Sequence, residues 1–423
     1  MSFWPENEIR FQSVPTSGIV VDGKSYFREK CPEFGEEIRE KEFRLRHGST
    51  FLNHGSFGVT PRRVRDQQTR FIEQFDSHPD DWLRRKECVH WCESRSAIAE
   101  FVGAAADDLV FVENATTGVN TALKTYPWSE GDGILATSMS YDAVIQTCLC
   151  TIESMSKGIA FYSVDIRLPL ESEDQVVDMY RQELEKHPDI KVAVIDHITS
   201  STAMLLPVKR LIDLCHEYGV IAIIDGAHAP GQVQLNLREL GADVYIGDLH
   251  KWLFCPTSCA ILWVHPKHQT WLKPLVTSHF HGHSFDMPFS VQGARDLTIC
   301  YTAVEALNFY NAIGGMKTIV GYNMAILEEV VDRLVKAWDI SRLEIPKSME
   351  APCMKVIKIP NIPEYPNTEE GVHSLHTDLF KRYDIQTAVE LVEGQLCIRL
   401  SANVYNSVDD YWKLEKAILE IAK

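Results

Sequence analysis

Six short apolar runs, each giving way at once to polar residues, most constrain what this chain can fold into. They are LVFVENATTG (109–118), GILATSMSYDA (133–143), KVAVIDHITS (191–200), VIAIIDGAHA (220–229), DVYIGDLHKW (243–252) and SCAILWVHP (258–266). The stretches from Val192 to Ile195 and from Val220 to Ile224 are apolar without alternation, the pattern of a strand covered on both faces. Amphipathic helical segments between the runs imply parallel βαβ units, hence a mostly parallel α/β sheet covered by helices.

At 423 residues the chain has room for two or three domains. Residues 1–50 are polar and charge-rich and read as an N-terminal arm. Residues 51–300 hold the alternating runs and read as a large α/β domain. Residues 301–423, with MKVIKI (354–359), QLCIRLS (395–401) and a helical pattern at 408–422, read as a small C-terminal α+β domain. Residues 62–102 read as helical, a long helical pattern follows Thr302, and the His-rich stretch 277–296 reads as an irregular loop.

Lys and Arg number 42 against 59 Asp and Glu, so 42 − 59 leaves a net charge of −17, which argues against a nucleic-acid partner. No apolar run approaches the roughly 18 residues a membrane span needs, and MSFWPENEIR lacks the basic and apolar regions of a signal peptide. A cytoplasmic protein with no membrane partner is expected. The 11 cysteines include no CxxC; Cys255 and Cys259 sit four apart with no second pair, so neither a disulfide framework nor a metal site is expected. Most read as small buried hydrophobes.

Open α/β sheets bind ligands at the carboxyl ends of their strands. Asp225 ends an apolar run there; a lone Asp in that place is also an ordinary turn or cap residue. Lys251, among Leu249, Trp252 and Leu253, is either a snorkelling surface lysine or a desolvated amine kept for imine chemistry. Together they form the pair that pyridoxal phosphate requires, a carboxylate for the pyridine nitrogen and an amine for a Schiff base. Thr116, Thr117 and Gly118 open a helix, where backbone N–H groups and hydroxyls can hold a phosphate.

The ordered series NHGSFG, NATTG, DHITS, DGAHAPGQ, HKWL, GARD and RLSANVYN, from about Phe51 to Tyr405, resembles the class V aminotransferase family of fold-type I pyridoxal-phosphate enzymes. Within it the similarity is to the branch of isopenicillin N epimerase, cysteine desulfhydrases and sulfoxide lyases. The resemblance implies Lys251 as the Schiff-base lysine, Asp225 on the pyridine nitrogen and His228 near the phenolic oxygen. It also implies Thr116, Thr117 and His250 on the phosphate and Tyr141 stacked on the ring. His197 and Thr199 then line the substrate side, Arg399 clamps the α-carboxylate, and Asn53 and His54 approach the same pocket.

Three departures qualify the likeness. Ala294 stands where the family has a threonine reaching the partner subunit's phosphate, in a homodimer that the family implies. Asp248 stands where relatives carry Ser or Asn, and an acid there opposes a phosphate unless it turns away. Residues 380–398 offer only Cys397, and Cys353 lies far upstream, which disfavours a persulfide-forming desulfurase.

The expected reaction is β-elimination of sulfur from a cysteine-like amino acid. The alternatives are epimerisation of an amino acid or peptide and decarboxylation with carbon–carbon bond formation, with His279, His281 and His283 as further acids or bases. A fold that has kept binding and lost catalysis, or a zinc hydrolase, are the rivals of another class. The latter lacks ligand spacing such as HExxH.

Overall fold

The computed structural model describes residues 26–27 and 30–423. Of the expected arm, residues 1–25 and 28–29 therefore lie outside the described residues. The rest of it holds helix Glu36–Glu42, which buries Ile38 and leads into buried Phe43.

In chain order the strands are β1 (Thr50–Phe51), β2 (Leu109–Val112), β3 (Gly133–Thr137), β4 (Ala160–Val164), β5 (Ile190–Asp196), β6 (Ile221–Asp225) and β7 (Val244–Asp248). There follow β8 (Ala260–Val264), β9 (Met354–Lys358), β10 (Ile385–Gln386), β11 (Ala388–Val392) and β12 (Gln395–Ser401). Strands β2 to β8 form one sheet in the order β2-β8-β7-β6-β5-β3-β4. Neighbours from β4 across to β7 pair in parallel, and β8 runs antiparallel to both β7 and β2. Six strands thus point the same way, and their carboxyl ends share one edge of the sheet.

All six apolar runs become strands. Every residue of β2, β3, β7 and β8 is buried, as unalternating apolar sequence requires when helices cover both faces. Within this sheet, the strand that the apolar pattern does not reveal is β4. It lies at the sheet edge, and of AFYSV only Val164 is buried, so no apolar run marks it. The helical stretch 62–102 is interrupted: Arg62–Ser77 ends at His78, Pro79 supplies no N–H to continue the ladder, and a π-turn at Trp82–Lys86 precedes helix Glu87–Phe101.

The second sheet is antiparallel, in the order β11-β12-β9, and packs with helices Glu369–Tyr383 and Val408–Ile421. Helix Gly315–Trp338 belongs to both cores, giving Ile319 to the first cluster and Ile326 through Trp338 to the second. Leu52 is also in the second cluster, because β1 pairs in parallel with β10. The turn that follows β1 is therefore strung between the two cores.

At the amino end of β7, away from the shared edge, buried Asp243 accepts hydrogen bonds from His216 Nε2 (2.9 Å), His268 Nε2 (2.8 Å) and the Ala222 N–H (2.8 Å), and pairs with Lys267 Nζ at 2.8 Å. Burial alone raises its pKa, but these donors outweigh burial and hold the carboxyl well below the usual range. A depressed folded pKa contributes stability that is present above the unfolded value of about 4 and fades as pH falls below it. Asp243→Asn is expected to lose about 2–4 kcal/mol at pH 7 in denaturant unfolding, with its deficit against the parent shrinking below about pH 4.

Candidate active site

Three adjacent parallel strands, β5, β6 and β7, each end in an aspartate: Asp196, Asp225 and Asp248. Asp196 and Asp225 are register partners, and all three line a cavity of about 350 Å³ at the carboxyl edge of the sheet. Lys251 follows β7 in the turn Leu249–Trp252; its Nζ lies 3.2 Å from Asp248 Oδ2, with the side chain 14% exposed. His250 Nδ1 lies 3.0 Å from the Cys259 carbonyl, which fixes the ring and leaves Nε2 3.8 Å from Asp248 Oδ2. The 53–58 turn crosses this lysine turn so closely that a Cβ on Gly58 would stand 1.8 Å from the His250 carbonyl oxygen, so only glycine fits.

Helix Ala115–Thr125 aims its amino end at the same cavity. Asn114 caps it by accepting from the Thr117 N–H (2.8 Å), and Asp248 Oδ1 accepts from the Ala115 N–H (2.8 Å). Thr116 lines the cavity; Thr117, in the same turn, does not. Tyr141 begins helix Asp142–Met155 and stands at the mouth, 51% exposed. The turn carrying it is anchored by Ser140 Oγ, which donates to Asp196 Oδ2 at 2.7 Å.

Arg399, in β12, is 2% exposed and reaches the cavity wall from the second core. Its Nη1 donates to the Ser200 carbonyl (2.7 Å) and hydroxyl (3.1 Å), and its Nη2 donates to Asn53 Oδ1 (3.2 Å) and to Ser56 Oγ. Ser56 and Ser200 line the cavity themselves. Glu390 lies 3.9 Å away and offsets part of the cost of burying the charge.

Of the residues expected from sequence, Thr116, Tyr141, Asp225, His228, His250 and Lys251 meet in the cavity wall, and Asn53 touches Arg399. His54, His197 and Thr199 do not line it. His54 is a strut, with Nε2 2.7 Å from the Lys251 carbonyl and Nδ1 2.7 Å from the Tyr405 hydroxyl. His197 Nδ1 meets the Tyr245 hydroxyl at 2.8 Å, and Thr199 Oγ1 accepts from the Met204 N–H at 2.8 Å inside its own turn. His279, His281 and His283 are exposed and do not line the cavity. Neither does any cysteine; burial pushes the Cys397 thiol up to about 11 and the Cys353 thiol up to about 12.

Sequence reasoning missed Asp196, although VAVID repeats the pattern of IAIID, an acid closing an apolar run. Ser56, Phe57, Asn114 and Ser200 carried no such signal. The feared clash at Asp248 takes a specific form: its carboxylate turns onto the helix N–H and Lys251.

Burial raises the pKa of Asp225, against the Ala227 N–H (3.0 Å) and Lys251, which lower it. Asp196 is pushed up to about 8, chiefly by burial and next by Asp225. His228 is held well below the usual histidine value, first by burial and then by nearby Lys251 and Arg399. Asp225 accepts one hydrogen bond among the described residues, from Ala227, and His228 Nδ1 is buried with none. Buried polar groups normally have partners. A cavity offering an under-satisfied carboxylate, a partnerless imidazole nitrogen, a lysine amine and a helix N-terminus fits a small cationic ring that carries an anionic arm.

The model of the family described as Aminotransferase class-V matches residues 61–359. L-cysteine desulfhydrase of Arabidopsis thaliana is 29% identical over 414 residues, covering 89% of this chain and 88% of that protein. Hercynylcysteine sulfoxide lyase of Schizosaccharomyces pombe is 24% identical over 398 residues, covering 91% and 97%. Among solved structures, a C-DES mutant with glycine covalently linked to the PLP cofactor superposes with a TM-score of 0.75 at 16% identity, over 88% of this chain and 96% of that one.

Burial lowers the pKa of His54 to about 3 and that of His197 to about 4, so both stay neutral in the fold. Their unfolded values are near 6.5, so stability is full above about pH 6.5 and falls as the solution is acidified, by about 2 kcal/mol per histidine at pH 5. Urea unfolding at pH 7 and pH 5 should show that loss, and His197→Asn should reduce the difference.

Proposed function

The chain belongs to the class V aminotransferase family, and on that premise we propose that it is a pyridoxal 5'-phosphate-dependent lyase that cleaves the carbon–sulfur bond of a cysteine-like amino acid. The observation that carries this reading is the meeting of Lys251, Asp225 and His228 in a cavity whose walls contain no cysteine. When bound, the cofactor supplies an aldehyde that joins amines and a ring that accepts the electrons released at Cα.

Each residue then has one task. Asp225 pairs with the protonated ring nitrogen, which supplies the partner its carboxylate lacks. His228 Nδ1 would face the ring's phenolic oxygen, Thr116, Thr117 and His250 would hold the phosphate, and Tyr141 at the cavity mouth would cover the ring. Lys251 would hold the cofactor through its amine, which lies 3.2 Å from Asp248, and when free that amine would be the base that takes the Cα proton. Arg399 grips the α-carboxylate with a guanidinium already oriented by Asn53 and Ser200.

Loss of the Cα proton with departure of the sulfur group breaks the Cβ–S bond. The released aminoacrylate takes up water to give pyruvate and ammonia, and the sulfur leaves as a thiol or, from a sulfoxide, as a sulfenic acid. No cavity cysteine is needed to receive it. The unpaired cysteines, seven of the eleven buried, suit a reducing compartment, and we assign the enzyme to the cytoplasm. A homodimer is supported by Phe57 and Tyr141, 70% and 51% exposed in the cavity lining, where a second copy has apolar surface to cover.

Incubation with L-cysteine, cysteine S-conjugates and cysteine sulfoxides should release pyruvate and ammonia in equal amounts. Lys251→Ala should cut that release by roughly a thousandfold or more and abolish the visible band of the lysine-bound cofactor. Arg399→Lys should raise KM by roughly tenfold with less effect on kcat. If no pyruvate forms and deuterium from heavy water enters Cα, the proton is being returned to the substrate and the lyase reading fails.

A further inference from the structure

At the helix N-terminus facing the cavity, part of the capacity to bind an anion is already taken by the protein itself. Of the three first-turn N–H groups of helix Ala115–Thr125, Ala115 donates to Asp248 Oδ1 at 2.8 Å and Thr117 donates to Asn114 Oδ1 at 2.8 Å. Only the Thr116 N–H has no acceptor among the described residues. Asp248 is 3% exposed, and its second oxygen sits 3.2 Å from Lys251 Nζ and 3.8 Å from His250 Nε2. One carboxylate thus occupies a helix N–H and faces the Lys251 amine and the His250 ring, the groups that an incoming phosphate needs.

We propose that Asp248 is a built-in competitor for the cofactor's phosphate, so that this protein holds its cofactor loosely and loads it in step with the free supply. The inference rests on the functional reading given above. A phosphate entering the cradle either takes the Ala115 N–H and the Lys251 amine from Asp248 or lies beside that carboxylate with like charge. Both routes subtract from affinity. Asn or Ser at this position keeps an oxygen that can accept from the Ala115 N–H and so cap the helix, while removing the charge. Gly118 lets the helix pack close against β7, the strand that carries Asp248: a Cβ there would stand 2.6 Å from the Ile246 side chain.

Titration of the cofactor-stripped full chain with pyridoxamine 5'-phosphate, which binds without a Schiff base, followed by tryptophan fluorescence, tests this directly. Asp248→Asn and Asp248→Ser are each expected to bind roughly tenfold more tightly or better, and to release the ligand more slowly. Pyridoxamine, which lacks the phosphate, should bind parent and variants alike. Equal or weaker phosphate-ligand binding by both folded variants, or an equal gain for pyridoxamine, overturns the proposal while leaving the lyase reading intact. Failure of parent and variants alike to bind either ligand overturns both.

Discussion

The site depends on a single electrostatic problem, three carboxylates brought to one edge of a sheet. Parallel strands with covered faces have no choice of where polar residues go, and β5, β6 and β7 each place an aspartate where the apolar run ends. Like charges in a low-dielectric setting cannot all be carried uncompensated. Each is resolved differently. Asp196 is pushed up to about 8 and takes a hydroxyl from Ser140; Asp248 is paid with a helix N–H and a lysine; Asp225 keeps one backbone donor and faces the cavity. The acid with fewest internal partners is the one with capacity left for a ligand.

Joining the two cores in register is the work of a short segment. β1 pairs with β10, Leu52 packs in the second cluster, and the turn after it passes against the lysine turn, where Gly58 admits it. His54 on that turn binds the Lys251 carbonyl on one side and Tyr405 of the second core on the other. Asn53 of the same turn holds Arg399. The lysine and the arginine, 148 positions apart in the chain, are thus set relative to each other through one turn rather than through a loop at the surface.

That arrangement explains what sequence could and could not reveal. The sheet was legible because burial on both faces leaves unalternating apolar runs; β4 was not, because an edge strand is half-wet and AFYSV has no such run. Asp225, Lys251, His228 and Thr116 were legible because their chemistry stands in local motifs at strand ends. His54, His197 and Thr199 also stand in motifs, yet their polar atoms face Lys251, Tyr245 and Met204. A motif names a residue's place along the chain, whereas the direction in which its side chain is used is set by tertiary packing. Ser56 and Ser200 illustrate the reverse: ordinary serines that matter because Arg399 arrives beside them.

The cysteines bear on the fate of sulfur in the proposed reaction. A thiol that accepts sulfur must reach the cavity as a thiolate, which requires exposure and a lowered pKa. Cys353 and Cys397 are buried, away from the cavity lining, and shifted upward to about 12 and about 11. Cys255, Cys259 and Cys300 are buried filler of the large core; Cys255 and Cys259 bond the backbone of the lysine turn, and the Cys259 carbonyl orients His250. With no cysteine in the cavity lining to capture it, a sulfur group expelled from Cβ in the proposed reaction departs into solution as a small molecule. The proposed chemistry then ends at elimination, with no sulfur-carrying residue of the cavity taking part.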